Sequence, residues 1–248
     1  MPDPVMFQSD SNDHSISFLS HQRKLELGLS GAEAFSARFS LSAFHPGLFT
    51  ENGISCPDRI CRSVKKRQAE FLAGRALART ALARLGLKDA PIPIGDDRAP
   101  VWPMGSVGSI SHAHGRCAVV AILDPSLMVG LDIETLASGS TLASILQVTM
   151  NDTERSLIET QGVMASDWLA TLAFSAKETL YKALYPTVQR FFGFDCAELA
   201  EPPTEDQLTL RLTTQLHPSL PEDTCFAIRY TTRPNYVLTW LIRPVPTG

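Results

Sequence analysis

FSAKETLYKALYP, residues Phe174–Pro186, is the stretch whose reading decides the fold. Taken with the residues before it, it carries a helical period. At 100° per residue, Trp168, Leu169, Leu172, Ala173, Ala176, Leu180, Ala183 and Leu184 fall on one arc, which predicts an amphipathic helix over Trp168–Tyr185. Pro186 is the expected stop, because proline lacks the N–H that the next turn needs. Glu178 and Lys182, four apart, lie together off the arc. As a solvated ion pair they would contribute about 0.2–0.5 kcal/mol. Phe174, Tyr181 and Tyr185 flank them, which points instead to a partly covered cleft.

Working outward, strands and one more strong helix surround this element. MVGLDIE (Met128–Glu134) reads as a strand after a DPS turn, and SVGSISHAHG leads into the strand CAVVAIL (Cys117–Leu123). Arg62–Leu85 reads as the second strong helix, stopped by Gly86. NDTERSLIETQ opens with a capping signal, and QLTLRLTT, CFAIRYTT and YVLTWLI are three strands near the end. Residues 16–60 show no clean period. Helix and strand mix in each half, so the expected class is α/β (α+β). A flexible arm is expected over residues 1–15, and a joint near Asp124–Leu127 divides 16–126 from 127–248.

Composition excludes several classes of function. The 248 residues are 44% hydrophobic, and the longest apolar run, Cys117–Leu123, is far short of the roughly 20 residues that span a bilayer. The start of the chain is polar and acidic, unlike a secretory signal, so a cytoplasmic location is expected. A net charge of −4 argues against gripping nucleic acid. The five cysteines are scattered, with no CxxC spacing, and read as reduced, mostly buried thiols.

Three further groups bear on chemistry. In GLDIE, Asp132 and Glu134 are two apart on a strand and present paired carboxylates to one side. Such anions repel unless a cation or proton lies between them, and hard oxygens suit Mg²⁺. The basic helix has an apolar stripe of Val64, Phe71, Ala78, Leu82 and Leu85, with Arg67 and Arg75 close beside it. A half-buried guanidinium needs an anionic partner, either a protein carboxylate or a ligand phosphate. In GSISHAH, Ser111 and His112 offer a hydroxyl and an imidazole at the lip of a strand. Neither a third zinc ligand nor a GxSxG elbow accompanies them, so phosphate or ribose contact is the functional reading.

The order of these motifs carries a resemblance. A basic helix with two arginines, then DRAPVWP, GSISH, GLDIE and FSAKETLYKALYP resembles the Sfp-type 4′-phosphopantetheinyl transferases, in the branch that includes enterobactin synthetase component D. It runs from about Arg62 to Phe194, with KRQAEFLAGR and RAPVWP especially close. The resemblance implies two pseudo-symmetric halves, each a small sheet packed by a long helix, with coenzyme A between them in a monomer. It implies transfer of the phosphopantetheine arm to a serine of an apo acyl or peptidyl carrier protein, with adenosine 3′,5′-bisphosphate released. The carriers would be acidic, helical proteins of fatty-acid, polyketide, nonribosomal-peptide or siderophore synthesis.

By the same resemblance, Asp132, Glu134 and Glu178 would hold Mg²⁺, and Glu178 would be the base for the carrier serine. Lys182 would bind the diphosphate, while Arg67, Arg75, Arg98, Ser111 and His112 would contact the 3′-phosphate, adenine and ribose. His114 falls outside the pattern and takes no role. Arg190, Phe191 and Phe192 are candidates for carrier docking, the two Phe being equally readable as core. The rival readings are a Mg²⁺-dependent pyrophosphatase of coenzyme A or a nucleotide, and a non-catalytic coenzyme A-binding module.

Overall fold

The computed structural model describes residues 17–160 and 163–246, with side chains described outside 163–165; the expected arm over 1–15 lies outside the described residues. The first sheet takes β1 (Leu19–Lys24), β2 (Ala32–Phe39), β3 (Val107–Ala113) and β4 (Arg116–Ile122), in the order β1-β2-β4-β3. Between β2 and β3 come two short helices, α1 (Leu48–Glu51) and α2 (Asp58–Cys61), and the long α3 (Lys65–Arg84). The second part begins with β5 (Leu127–Thr135) and three helices, α4 (Gly139–Thr149), α5 (Asp152–Glu159) and α6 (Val163–Val188). It ends with β6 (Ala197–Leu199), β7 (Gln207–Leu212), β8 (Cys225–Arg233) and β9 (Tyr236–Pro244), in a sheet ordered β5-β9-β8-β7-β6. Every pairing in both sheets is antiparallel, giving an α+β architecture.

Three cores hold these layers. On the first sheet α3 buries Leu72, Leu77 and Leu82 against Phe35, Val119 and Ala121. On the second, α6 buries Leu172, Leu180 and Leu184 with Phe226 and Ile228. The third lies between the sheets, where Ala34 and Val120 meet Val129, Leu131, Ile133 and Leu238. Side chains alternate across a strand, so β4 sends Val119 to α3 and Val120 to the seam. Covered on both faces, β2 and β4 need apolar residues at consecutive positions.

At Gly130 the helix comes close to the strand. A Cβ there would overlap the Thr179 carbonyl and lie 3.0 Å from the Ala183 Cβ. Only glycine lets α6 settle this far onto β5.

Several expectations need correction. Helix α6 starts by Val163, and Pro186 sits inside its last turn rather than ending it. The helix over Gly139–Thr149 carries no strong signal in the sequence and was not anticipated. Val64 precedes α3 and is 72% exposed, so the stripe's first residue is not core. Ser111 and His112 lie within β3 rather than at its lip. Cys56 and Cys61 are joined as a disulfide, and of the other three cysteines only Cys117 is buried.

Candidate active site

The site is built where β5, β3 and α6 meet. Asp132 of β5 is 2% exposed and is surrounded by donors. Ser111 Oγ and Lys182 Nζ donate to its Oδ1 at 2.7 and 2.6 Å, and Ser175 Oγ donates to its Oδ2 at 2.7 Å. Lys182 therefore pairs across the seam with Asp132 rather than along the helix with Glu178. The close approach at Gly130 explains this, because it brings the ammonium to a desolvated carboxylate that needs a charged donor. Ser175 and Thr179 also bond Thr239 of β9 at 2.9 and 2.6 Å, which ties the helix to the sheet beneath Asp132.

Glu134 and Glu178 complete an acidic group. Burial, and then the charge of Asp132, push the Glu134 carboxyl up to about 8, with Glu178 adding to the effect and Lys182 opposing it. Burial also raises Glu178, against the pull of Lys182. The three carboxylates feel one another, yet among the described residues no three such groups converge as a ready-made metal site. The oxygens of Asp132 are engaged by Lys182, Ser111 and Ser175.

Lys177, next to Glu178, went unnoticed in the sequence and is fully engaged. Its Nζ donates to Thr149 O at 2.7 Å, to Glu154 Oε2 at 2.8 Å and to Phe194 O at 3.4 Å. Glu154 is itself the third residue of the capping box begun by Asn151, and it also accepts from Leu199 N. Burial lowers the Lys177 pKa while Glu154 raises it. This buried pair pins α6 to the ends of α4 and α5 and so orients Glu178. The capping box was legible; a lysine one step from the apolar arc was the only hint of the pair.

The cations divide into three places. Arg67, exposed at the start of α3, donates to His112 Nε2 at 2.9 Å, and Glu70 lies 3.7 Å from both residues. Burial lowers the His112 pKa against the pull of Glu70, which keeps the ring neutral as an acceptor for Arg67. Arg98, at φ 72° in a turn, lines a cleft of about 570 Å³ together with Lys182, Ser109 and Trp102. Arg75 stands apart. It is 8% exposed, its Nε donates to Ile92 O at 2.7 Å, and its guanidinium lies 4.7 Å from the Phe71 ring centre. Burial and neighbouring Arg67 bring its pKa down to about 10. Backbone carbonyls of Ile92 and Pro93 accept from Arg75, and the half-buried position expected for Arg67 is replaced by a surface one.

Ser111 is likewise buried and spent on Asp132, on the strand face opposite His112. His114 bonds Thr135 Oγ1 at 2.8 Å. Beside Glu178 lies an apolar pocket of about 180 Å³ lined by Tyr181, Phe191, Phe192 and Phe194. The two consecutive phenylalanines part company there: Phe192 is 7% exposed and Phe191 80%.

This arrangement, acids on one strand and helix with cations around a cleft, has relatives. Residues 57–122 match the 4′-phosphopantetheinyl transferase N-terminal domain, and residues 128–239 match the 4′-phosphopantetheinyl transferase superfamily. The chain belongs to the 4′-phosphopantetheinyl transferase superfamily, with enterobactin synthase component D among its relatives. It is 41% identical over 144 residues to the 4′-phosphopantetheinyl transferase PptT of Mycobacterium tuberculosis, covering 56% of this chain and 61% of that one. It is 38% identical over 166 residues to the 4′-phosphopantetheinyl transferase Svp of Streptomyces mobaraensis, covering 62% of each. With enterobactin synthase component D of Salmonella typhi it shares 40% identity over 143 residues, covering 57% of this chain and 58% of the other. The matched region thus spans about six tenths of these relatives' length.

Proposed function

We propose that this chain moves the 4′-phosphopantetheine arm of coenzyme A onto a serine of an apo carrier protein. The observation that carries the reading is the buried Asp132, which feels the charge of Glu134 and Glu178 and is held by Lys182, a residue that lines one cleft together with Arg98. A diphosphate needs cations for its oxygens, and an attacking hydroxyl needs a base. That group of residues supplies both.

In this reading Glu178 takes the proton of the carrier serine. The serine oxygen forms a bond to the phosphorus bearing the pantetheine arm, and the bond from that phosphorus to the oxygen of the adenosine-bearing phosphate breaks. The electron pair leaves with adenosine 3′,5′-bisphosphate, where the Lys182 ammonium offsets the developing charge. Arg98 lines the same cleft and would hold the nucleotide phosphates, with Arg67, hydrogen-bonded to His112, as a second cation. Arg75 acts through the loop it braces at Ile92 and Pro93. The uncharged arm fits the apolar pocket beside Glu178, whose wall includes Tyr181 and Phe192.

The donor set suits Mg²⁺: every candidate ligand is a carboxylate, and the burial and neighbouring negative charge that raise Glu134 are what a divalent ion would offset. Asp132, Glu134 and Glu178 would hold it, and its charge would add to that of Lys182 against the diphosphate. Exposed Phe191, with Arg190, is the proposed contact for an acidic, helical carrier, and a cytoplasmic monomer is the expected form. Chromatography of coenzyme A products tests the reading. Release of adenosine 3′,5′-bisphosphate that requires apo carrier supports transfer; equal release without carrier would make the protein a pyrophosphatase.

A further inference from the structure

The seam between the sheets ends in a feature that the transfer reaction does not use. Along β2, the residues facing the second sheet run Ala34, Ser36, Arg38, so this face turns from apolar to cationic within four residues. On β4 the same face ends at Arg116. Arg38 and Arg116 are register partners, directly opposite each other on neighbouring strands. Like charges so placed repel. Among the described residues, Arg38, Arg116 and Arg23 have no carboxylate within salt-bridge distance.

These arginines line one cavity of about 280 Å³ with Arg233, His21 and Tyr236, and among the described residues no acidic side chain contributes to its wall. In a chain of net charge −4, that segregation is far from the average surface. Two details organise the cavity. The Arg116 guanidinium lies 4.4 Å over the Tyr236 ring, and Arg233 is held by Thr231 Oγ1 and Thr232 O at 3.2 and 2.9 Å. The β1–β2 register also shifts between Ser20 and Arg23, with His21 at φ 52°. A bulge of this kind re-aims side chains, and a non-glycine residue held at positive φ stores strain that local structure must support.

We propose that this cavity binds a compact, phosphate-bearing small molecule, separate from the diphosphate site beside Asp132. Guanidinium forks match phosphate oxygens two at a time, and a concave site of this size suits a phosphate or diphosphate group better than the flat face of a protein. Bound there, the anion relieves the repulsion between Arg38 and Arg116 and braces the seam whose other residues carry Asp132.

The test is thermal unfolding and calorimetric titration of the full chain with inorganic phosphate, pyrophosphate and hexaglutamate, run with coenzyme A saturating. The wild type gains stability with pyrophosphate. Arg38→Gln melts higher than the wild type in phosphate-free buffer, because the repulsion is gone, and its pyrophosphate affinity falls about tenfold, as expected for one charged hydrogen-bonding group. Arg116→Gln weakens binding likewise, whereas Lys182→Met leaves it unchanged. Undiminished pyrophosphate binding in both arginine variants would overturn the site. Tighter binding of hexaglutamate than of pyrophosphate would overturn it too, by making the cavity a docking point for an acidic protein.

Discussion

Lys182 illustrates how a side chain's partner depends on what lies across the fold. The helical period places it next to Glu178, yet its ammonium lies 2.6 Å from Asp132, on a strand 50 residues earlier. Glu178 is thereby left without an ion pair on its own helix among the described residues, which suits the base role proposed for it. Glu178→Gln keeps size and shape but removes the basic oxygen, so transfer should fall about 10²–10⁴-fold. Coenzyme A affinity, read by titration, should change little; a variant with near-normal turnover would remove Glu178 from the chemistry. The cysteines give a second check at this scale. Burial pushes the Cys117 thiol up to about 12, so at pH 8 it stays protonated and inaccessible. Mass spectrometry after brief alkylation of the native protein should find label on exposed Cys225 and none on Cys117.

At the scale of elements, α6 is held by two devices. Its first is the Lys177–Glu154 pair, whose side chains are 3% and 1% exposed. Removing one member leaves a buried charge without its partner, so Lys177→Met should cost about 3–5 kcal/mol, read from the urea midpoint. The second is the absence of a side chain at Gly130. Gly130→Val must push α6 off β5, and we expect loss of folding stability together with loss of activity in whatever protein remains folded. The elements differ in how readily the sequence betrays them. Strands β7 and β8 and the apolar arc of α6 were legible because each has a polar face to contrast with a buried one, whereas β5 and β9 were legible as apolar runs between turns. Strand β2 was not, since the alternation of AEAFSARF slips at Ala34 and Phe35, consecutive residues buried in two different cores. The motif GLDIE announced paired carboxylates, but nothing local could announce that Asp132 would be shared among Ser111, Ser175 and Lys182. Arg75 misled for a related reason: helix geometry showed that it was inward, while its partners, the carbonyls of Ile92 and Pro93, belong to a loop with no periodic signal.

For the whole molecule, the seam between the two sheets is the organising feature. It carries its own apolar core, presents Asp132 and Glu134 to α6 at one side, and ends in the arginine-lined cavity. The cations of the proposed diphosphate site come from both sides of it, Arg67 and Arg98 before the seam and Lys182 after it. Neither sheet alone holds the full set, so activity should require the intact chain. The most direct measurement is the intact mass of an apo carrier protein after incubation with this chain, coenzyme A and Mg²⁺, using carriers from fatty-acid, polyketide and peptide synthesis. We predict a gain of one phosphopantetheine arm on the carrier serine, present with the wild type and absent with Glu178→Gln; an unchanged mass on every carrier, or an equal gain with Glu178→Gln, would contradict the account.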